Sequence, residues 1–454
     1  MIVVERGYSS VSVADETGLS LALAPALTPS GLAPRPSFFH GFATHPLVLA
    51  RALLTLADVT ATRYFNFVPA DLRDPVLTAT GDRLRAECFS ACNGVYARYD
   101  LLAAGLDGGE IERGTTNVDV SPALRTALTA VTTNELLHLD VGEDGLAVSS
   151  PEVTTYERPV QMPDRWVRAL GNAGEAVRGF VPVIELDAAK ARAFVASLPP
   201  ATGRAQPVYL QPSPAGVSLT ARPRGTSVFV GGLNRLAAIK RLLVNLTGLR
   251  VYGPAEPSAA PCVFEFGVPG GRLTLALTEE AWRGFSGEGS LLPSLADPDV
   301  VDDADLIAAL LAFEPIIDVP TLARDAGLSQ ERVRGALSVL AASGRVGWDC
   351  FEGEYFHREL PHDPGRVDKD NPRLVAARRL VEAHAIATRT DGVHVVTSGR
   401  ERYHVTVTAG AGARDLTEGA RCTCTWYVAH GGGRGPCKHV LAVQLSERDE
   451  EGTP

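Results

Sequence analysis

Three of the seven cysteines of the 454-residue chain lie close together near its C-terminal end, and a histidine follows the last of them. Cys422-x-Cys424 and Cys437-x-His439 are two chelating pairs, separated by the twelve residues 425–436. Three thiolates and one imidazole complete the tetrahedral shell of a structural Zn²⁺, whereas a catalytic zinc keeps one position open. The spacing therefore predicts one closed, structural zinc site.

The segments around the two pairs must bring them together. A helix, "PRLVAARRLVEAHAI", and two strands, "GVHVVTS" and "RYHVTVTA", joined by a turn at Gly399, are predicted before the first pair. The glycines of "HGGGRGP" let the backbone turn back, and Pro436 is expected to begin the helix "CKHVLAVQL", whose first turn presents Cys437 and His439. His430 is a rival ligand, but it is expected to be solvated in the glycine loop.

Cys-x-Cys, a spacer and Cys-x-His within "PCKHVLAV" resemble the SWIM zinc finger over about residues 402–446. The resemblance implies a β-β-α zinc module that contacts proteins or nucleic acids. More weakly, "RLRAECFSACNGVYARYDLL", "GTTNVD" and residues 301–361 resemble long bacterial SWIM-containing proteins. In that family some genes neighbour AAA-type ATPases and von Willebrand A-domain proteins, which implies a multi-protein system.

Charge is distributed unevenly along the chain. The formal net charge of −10 argues against a globally basic nucleic-acid-binding protein. Residues 373–439, however, carry ten Arg or Lys against five Asp or Glu. This surplus predicts a local basic patch for DNA or RNA. Trp426 and Tyr427 would add stacking surfaces; the alternative is that Trp426 packs beneath the zinc. The candidate contact residues are Arg421, Arg434, Lys438, Arg378 and Arg379.

Residues 301–361 have the element order of a winged-helix domain. The segment "ADLIAALLAFEP" predicts a first helix, "VPTLARDAG" a second that ends at Gly327, and Ser329 caps a third. Two strand-like segments, "RVGWDC" and "EYFHREL", then predict a two-stranded wing. The third helix would offer Gln330, Arg332 and Arg334 to a DNA major groove.

The charge of this segment favours a different use. Residues 305–361 contain five arginines and no lysine against nine Asp or Glu. Because phosphate neutralisation supplies most non-specific DNA affinity, an acidic wing is poorly suited to DNA. A scaffold or protein-docking role is therefore preferred over DNA binding. The acidic residues of the wing are Asp349, Glu352, Glu354 and Glu359.

The first 300 residues predict two α+β domains, 1–150 and 151–300. The first includes a helix in "HPLVLARALLTLADV", a hairpin around Asn93-Gly94 and a helix capped by Ser121. The second includes hairpins and a helix, "LNRLAAIKRLLVNLTG", with Gly248 as its C-cap. The remaining cysteines are scattered, so buried or bystander thiols are expected rather than a disulfide framework: Cys88, Cys92, Cys262 and Cys350.

Recognised reaction centres are absent from the sequence of this half. It has no phosphate loop ending in Lys-Ser/Thr, no Gly-x-Ser-x-Gly and no His-Glu-x-x-His. A protein that is not an enzyme is therefore expected, with a hydrolase in residues 1–300 as the disfavoured alternative. No apolar run is long enough to span a membrane, and no secretory leader is recognisable, so a cytoplasmic location is expected.

These observations predict a multidomain α+β protein. A mixed α/β N-terminal half, residues 1–150 and 151–300, precedes a winged-helix-like domain, residues 301–361. A SWIM-type zinc module with an acidic tail, residues 370–454, follows. Its cofactor is Zn²⁺, and its function is non-catalytic contact with nucleic acid, protein or both through the C-terminal half. The alternative is a pure protein–protein adaptor of an ATPase-associated assembly, with no nucleic-acid binding.

Overall fold

The computed structural model describes residues 37–65, 75–160, 164–204, 206–287, 300–358, 372–407, 419–431 and 435–451, with short stretches between these ranges. The first elements are two small antiparallel hairpins, β1 (Val13–Asp15) with β2 (Gly18–Ser20) and β3 (Ala26–Thr28) with β4 (Gly31–Ala33). The described part of the chain is a mixed α/β structure with several sheets.

A five-stranded antiparallel sheet covers one side of the N-terminal half. Its inner face contributes Phe39, Leu139 and Val148 to the main hydrophobic core. The strand order is β11 (Leu106–Ile111), β5 (Ser37–Ala43), β13 (His138–Gly142), β14 (Gly145–Ser149) and β15 (Thr154–Glu157). A separate two-stranded antiparallel pair is formed by β6 (Thr62–Arg63) and β7 (Val68–Pro69).

The largest sheet has eight antiparallel strands. Their order is β12 (Arg113–Asn117), β8 (Val76–Thr80), β9 (Arg83–Phe89), β10 (Val95–Leu102), β22 (Gly271–Leu277), β21 (Cys262–Val268), β20 (Gly248–Gly253) and β16 (Val181–Asp187). The hairpin around Asn93, whose φ is 54°, joins β9 to β10 as predicted. A three-stranded sheet of β18 (Gly216–Thr220), β17 (Val208–Ser213) and β19 (Val228–Val230) follows in the chain.

Strands from both sides of residue 150 share this eight-stranded sheet. Its centre is the pairing of β10 with β22, in which Tyr99 lies opposite Leu273. One hydrophobic core continues from Phe38 to Phe285. The division of the chain at residues 150 and 300 stays a prediction, but the two predicted regions are joined by backbone hydrogen bonds.

Four α-helices pack against these sheets. They are α1 (Pro46–Thr60), α2 (Pro122–Ala130), α3 (Asp164–Val177) and α4 (Ala188–Ser197). The side chain of Ser121 accepts a hydrogen bond from the backbone N–H of Leu124, which confirms it as the N-cap of α2. Helix α1 is buried along most of its length because its apolar residues recur all round the helix.

The prediction for the segment that ends at Gly248 was wrong in two respects. Leu233–Asn245 is a 3-10 helix, not an α-helix, and its C-terminal flanking residue is Leu246. Gly248 begins β20 instead, opposite Gly267 on β21. Pairing within the sheet therefore overrides the local sequence signal that predicts Gly248 as a helix C-cap.

Residues 300–358 contain three helices and a hairpin where the sequence predicts them. They are α5 (Val300–Leu310), α6 (Val319–Ala326), α7 (Gln330–Ala342) and the pair β23 (Val346–Asp349) with β24 (Glu354–His357). Ser329 accepts from the backbone N–H of Arg332, and Gly327 takes the left-handed conformation, φ 68°, after α6. Helix α5 begins four residues before the predicted start at Ala304.

The C-terminal elements form a four-stranded sheet with helices against one face. Helix α8 (Pro372–Glu382) precedes the strands β25 (Ile386–Thr388), β26 (His394–Ser398), β27 (Glu401–Thr406) and β28 (Arg421–Cys422), which pair in chain order. The last elements are α9 (Thr425–His430) and α10 (Lys438–Glu451). Helices α8 and α10 also share a hydrophobic cluster with α5–α7, through Leu374, Ala377, Leu441 and Ala442.

Candidate metal centre and the charged surfaces around it

The four predicted ligands each lie at the end of a secondary-structure element. Cys422 ends β28, and Cys424 caps α9 by accepting from the backbone N–H of Tyr427. His439 lies in the first turn of α10. Cys437 precedes that helix and its carbonyl accepts from the N–H of Leu441, so the helix begins at Lys438, not at Pro436 as predicted.

The structure brings these four side chains together. Their ligand atoms all lie within 4.8 Å of one another, and all four residues are buried. Sγ of Cys422 is 3.7 Å from Nδ1 of His439. Around a tetrahedral zinc, ligand atoms are separated by about 3.5–3.8 Å, given Zn–S of about 2.3 Å and Zn–N of about 2.0 Å. The set therefore fits Zn²⁺ after side-chain shifts of up to about 1 Å.

Hydrogen bonds hold the sulfur atoms in this arrangement. The backbone N–H of Cys424 donates to Sγ of Cys422 at 3.5 Å, and that of Tyr427 donates to Sγ of Cys424 at 3.4 Å. A hydrogen bond from Cys422 lowers the pKa of the Cys437 thiol to about 4, and the same bond raises the pKa of Cys422. A bound zinc ion would displace the protons of these thiols.

Aromatic side chains enclose the centre. The ring of Tyr403 stacks on His439 with 4.2 Å between ring centroids, a contact that no pattern in the sequence indicates. The guanidinium of Arg373 lies 4.7 Å from the Trp426 ring, and the Tyr427 hydroxyl donates to the carbonyl of Ala420. Both predicted stacking residues are therefore engaged within the protein.

His430 lies elsewhere than predicted. It is the last residue of α9 and is half-buried, with its ring 4.5 Å from that of Trp426. It is not in the set of four clustered ligand atoms. The short helix α9, where a loop was predicted, accounts for this position.

The predicted basic residues lie on different sides of the zinc module. Arg421 is exposed on β28, and Arg379 is exposed on α8. Arg378 on α8 is half-buried, while Lys438 donates from Nζ to the Ser398 hydroxyl at 3.0 Å. Arg434 lies outside the described residues. The structure thus does not gather these side chains into one rim.

A second charged cluster lies where the β23–β24 hairpin meets the eight-stranded sheet. We call it the arginine cluster: Arg85, Arg98 and Arg272 with the carboxylates of Asp100 and Asp349. Nitrogen atoms of the three arginines lie 3.2, 2.9 and 2.5 Å from Oδ2 of Asp349. Asp100 accepts from Arg85 at 3.1 Å and from Arg272 at 2.8 Å. The five side chains are at most 7% exposed.

Electrostatics keep Asp349 ionised in this buried position. Burial alone would raise its pKa, but Arg98, Arg272 and Arg85 outweigh burial and hold the pKa of Asp349 below its usual range. Glu352 pairs with Arg83 at 3.0 Å and with Arg272 at 3.4 Å. The hairpin is therefore fastened to the sheet by its own carboxylates.

This geometry corrects the interpretation of the wing as an acidic surface. Asp349 is buried and Glu352 is ion-paired, so neither presents free negative charge to solvent. Glu354 is half-buried, and Glu359 lies outside the described residues. The charge count over residues 305–361 overstates the acidity of the hairpin, because the arginines that neutralise Asp349 and Glu352 belong to β9, β10 and β22.

The two arginines predicted for a DNA groove also have partners. Arg332 forms a two-pronged ion pair with Asp303 on α5, at 2.8 and 2.6 Å. Arg334 donates to the side-chain oxygen of Gln330 at 3.1 Å. Further along α7, Ala341 contacts Gly171 of α3 so closely that a Cβ at Gly171 would lie 2.3 Å from the Ala341 carbonyl.

The zinc-ligand geometry coincides with a family match. The profile of the SWIM zinc finger matches residues 403–446, which include all four clustered ligands. Residues 403–446 are a SWIM zinc finger. The Cys₃His cluster is consistent with Zn²⁺ as its cofactor. The SWIM zinc finger thus includes most of β27, all of β28 and α9, and the first two turns of α10.

Comparisons with solved structures are less informative. The proliferating cellular nuclear antigen of Entamoeba histolytica aligns with 54% of this chain and 99% of its own, at 12% identity and a TM-score of 0.35. A PCNA2–PCNA3 complex from Sulfolobus tokodaii aligns with 53% and 99%, at 11% identity and a TM-score of 0.38. These scores are too low to support a conclusion about fold or function. No curated protein matches the sequence.

The described residues include no helix that is both long and apolar enough to cross a membrane.

Proposed function

We propose that this chain is a non-catalytic interaction protein whose SWIM zinc finger module binds nucleic acid. The closed Cys₃His cluster carries the proposal, because four protein ligands leave zinc no open position for a substrate. The local surplus of five positive charges over residues 373–439, in a chain of net charge −10, points to a polyanionic partner for this module.

Residues 300–358 serve as a winged-helix-like scaffold in this proposal. The three helices and the hairpin follow the winged-helix order. The first turns of α7 are exposed, but the two arginines that they carry, Arg332 and Arg334, already have partners within the domain. The C-terminal half of α7 is buried, with Ala341 against Gly171 of α3. The hairpin tip places Asp349 in the arginine cluster. The segment thus links the zinc module to the eight-stranded sheet.

Fluorescence anisotropy of labelled oligonucleotides tests the proposal. Zinc-loaded full-length protein is titrated against single-stranded DNA, duplex DNA and RNA at salt concentrations from 50 to 300 mM. We expect binding to at least one of them, with an affinity that falls steeply as salt rises, because bound counterions are released from the phosphates. No binding to any of the three at 50 mM salt would overturn the proposal.

A protein–protein adaptor is the second candidate. The net charge of −10 favours it, and so does Val428, an apolar side chain on α9 that is 76% exposed. In this case the partners would be components of the multi-protein, ATPase-associated system that the family resemblance implies, in the cytoplasm. The same titration separates the two candidates, since an adaptor predicts no anisotropy change at any salt concentration.

A further inference from the structure

We propose that the nucleic-acid-binding surface of this protein is the open face of the four-stranded sheet β25–β28. The open face is the side opposite α8 and α10, and its central residues are Arg402, His404, Thr406, Arg421 and Thr397. This inference rests on the proposed function and specifies where in the zinc module nucleic acid is bound.

Strand alternation separates the two faces of the sheet. Val396, Val405 and Cys422 are buried in the cluster that surrounds the metal centre, so their side chains define the inner face. The residues between them project to the other side. Arg402 pairs with Thr397, His404 with Val395, and Thr406 with Arg421 across the strands.

The open face lies exposed to solvent. Arg402, His404, Thr406, Arg421 and Thr397 are all exposed, whereas the inner face is buried. Exposed threonine hydroxyls and arginines are groups that contact phosphate and sugar oxygens in nucleic-acid complexes. A sheet of four strands at about 4.8 Å spacing is about 15 Å wide, enough to lie along several nucleotides.

The charge of the face has one sign. No acidic side chain lies on the described strand positions of the open face, and Arg400, in the turn between β26 and β27, adds a further exposed cation. Among the described residues, no carboxylate forms an ion pair with Arg402 or Arg421, in contrast to the paired Arg332 and Arg272. Unpaired guanidinium groups on an open face are free to take phosphate as their partner.

The spacing of the side chains on the open face is better suited to contacts with the phosphate backbone than to base-specific contacts. Arg402 and His404 are two residues apart on one strand, or about 7 Å, and Arg421 lies one strand away. His404 is the one aromatic ring on the described part of this face, because Tyr403 stacks on His439 inside. We therefore expect affinity to depend on phosphate contacts, with weak preference for sequence.

Charge-removing variants of the full-length, zinc-loaded protein test the surface. Arg402→Gln and Arg421→Gln each remove one cation from the open face. Arg324→Gln is the matched control, because Arg324 is also exposed but lies on α6, where it donates to the Thr321 hydroxyl. The probe is a fluorescein-labelled oligonucleotide of mixed sequence, used single-stranded and as a duplex, with zinc content and circular dichroism measured for every variant.

We expect each open-face variant to weaken binding roughly 5- to 10-fold at 50 mM salt and to lower the slope of log affinity against log salt by about 1. The Arg324→Gln control should match the unmodified protein in affinity and slope. Zinc content and circular dichroism should not differ among the variants, because Arg402 and Arg421 project away from the metal centre.

Three outcomes would overturn the inference, and they differ in whether the proposed function still holds. If the unmodified protein binds and both open-face variants bind equally well, the surface is wrong while the proposed function stands. If the unmodified protein binds no oligonucleotide, the proposed function fails as well. If it binds a poly-glutamate peptide through Arg402 and Arg421 but no oligonucleotide, the face is a site for an acidic protein.

Discussion

At the scale of single residues, the least expected feature is Asp349, an ionised carboxylate buried among three arginines of a distant sheet. Removing one partner of a buried charge group leaves the others unneutralised, which costs far more than breaking an exposed pair. Together with Glu352, this carboxylate therefore holds the β23–β24 hairpin to the N-terminal half through ion pairs.

We expect Asp349→Asn to lower the free energy of unfolding by about 3 kcal/mol or more, because the amide retains the shape but not the charge. Chemical denaturation monitored by tryptophan fluorescence measures the effect. Asp391→Asn is the matched control, since Asp391 pairs with Arg389 on the surface, where an ion pair contributes less than about 1 kcal/mol. Equal stability of the two variants would contradict the assigned importance of the arginine cluster.

Glu265 gives a pH-dependent prediction. Burial raises its pKa to about 7, from an ordinary value of 4.5, although Arg272 opposes the shift. The folded chain therefore binds more protons than the unfolded chain between these values, and the contribution of Glu265 to stability is lost as pH rises from about 4.5 through 7.

Glu265→Gln has no charge to bury. We expect it to exceed the unmodified protein in free energy of unfolding by about 1–3 kcal/mol at pH 8, and to be nearly equal to it at pH 5. Denaturation curves at the two pH values check this. A stability difference that is the same at both values would show that Glu265 is not protonated near neutrality.

At the scale of elements, zinc connects the end of β28 to the starts of α9 and α10. The core around the ligands is small, with Val396, Val405, Val440 and Val443 as its main aliphatic members. A metal can supply much of the folding free energy of such a segment. The metal therefore sets the relative positions of three element ends: the end of β28, the start of α9 and the start of α10.

We expect the unmodified protein to carry about one zinc ion per chain and Cys437→Ala to carry almost none, with increased proteolysis confined to residues beyond about 370. Elemental analysis and limited proteolysis measure the two effects. Cys92→Ala, which removes a cysteine outside the cluster, should retain the zinc. Full zinc content in Cys437→Ala would refute the ligand assignment.

The elements that were predictable are those specified by local signals. Ser121 and Ser329 mark helix starts through a side chain that reaches three residues ahead, and the two cysteine-containing pairs identify the zinc ligands by spacing alone. The pairing of β10 with β22 was not predictable, because no local pattern selects a partner more than 160 residues away. Separations of 77 to 264 residues likewise hid the arginines that neutralise Asp349.

The contacts of single side chains were also beyond local patterns. The sequence predicts that Arg332 on α7 is an exposed cation, yet it is paired with Asp303 on α5. Arg402 and His404 were overlooked because they lie in an unremarkable strand, and their exposure depends on which face α8 and α10 cover. The alternation of apolar and polar residues along β26 and β27, with Val396 and Val405 on the inner side, is the signal that could have revealed that face.

At the scale of the whole molecule, the two largest hydrophobic clusters are in contact with each other through a shared residue. The core of the eight-stranded sheet reaches the hairpin through Trp348, and the same residue borders the cluster shared by α5–α7 with α8 and α10. The zinc finger is thus held against a large scaffold rather than tethered to it. Nucleic acid on the open face of β25–β28 would leave the N-terminal sheets available for other partners.

The most direct test of this account compares nucleic-acid binding by the full-length protein before and after zinc is removed by a chelator, with zinc added back as the final step. We predict that removal abolishes binding while leaving the N-terminal half folded, as judged by protease resistance of residues 37–287, and that restored zinc restores affinity. Unchanged affinity in the zinc-free protein would contradict the claim that the SWIM zinc finger module is the binding element.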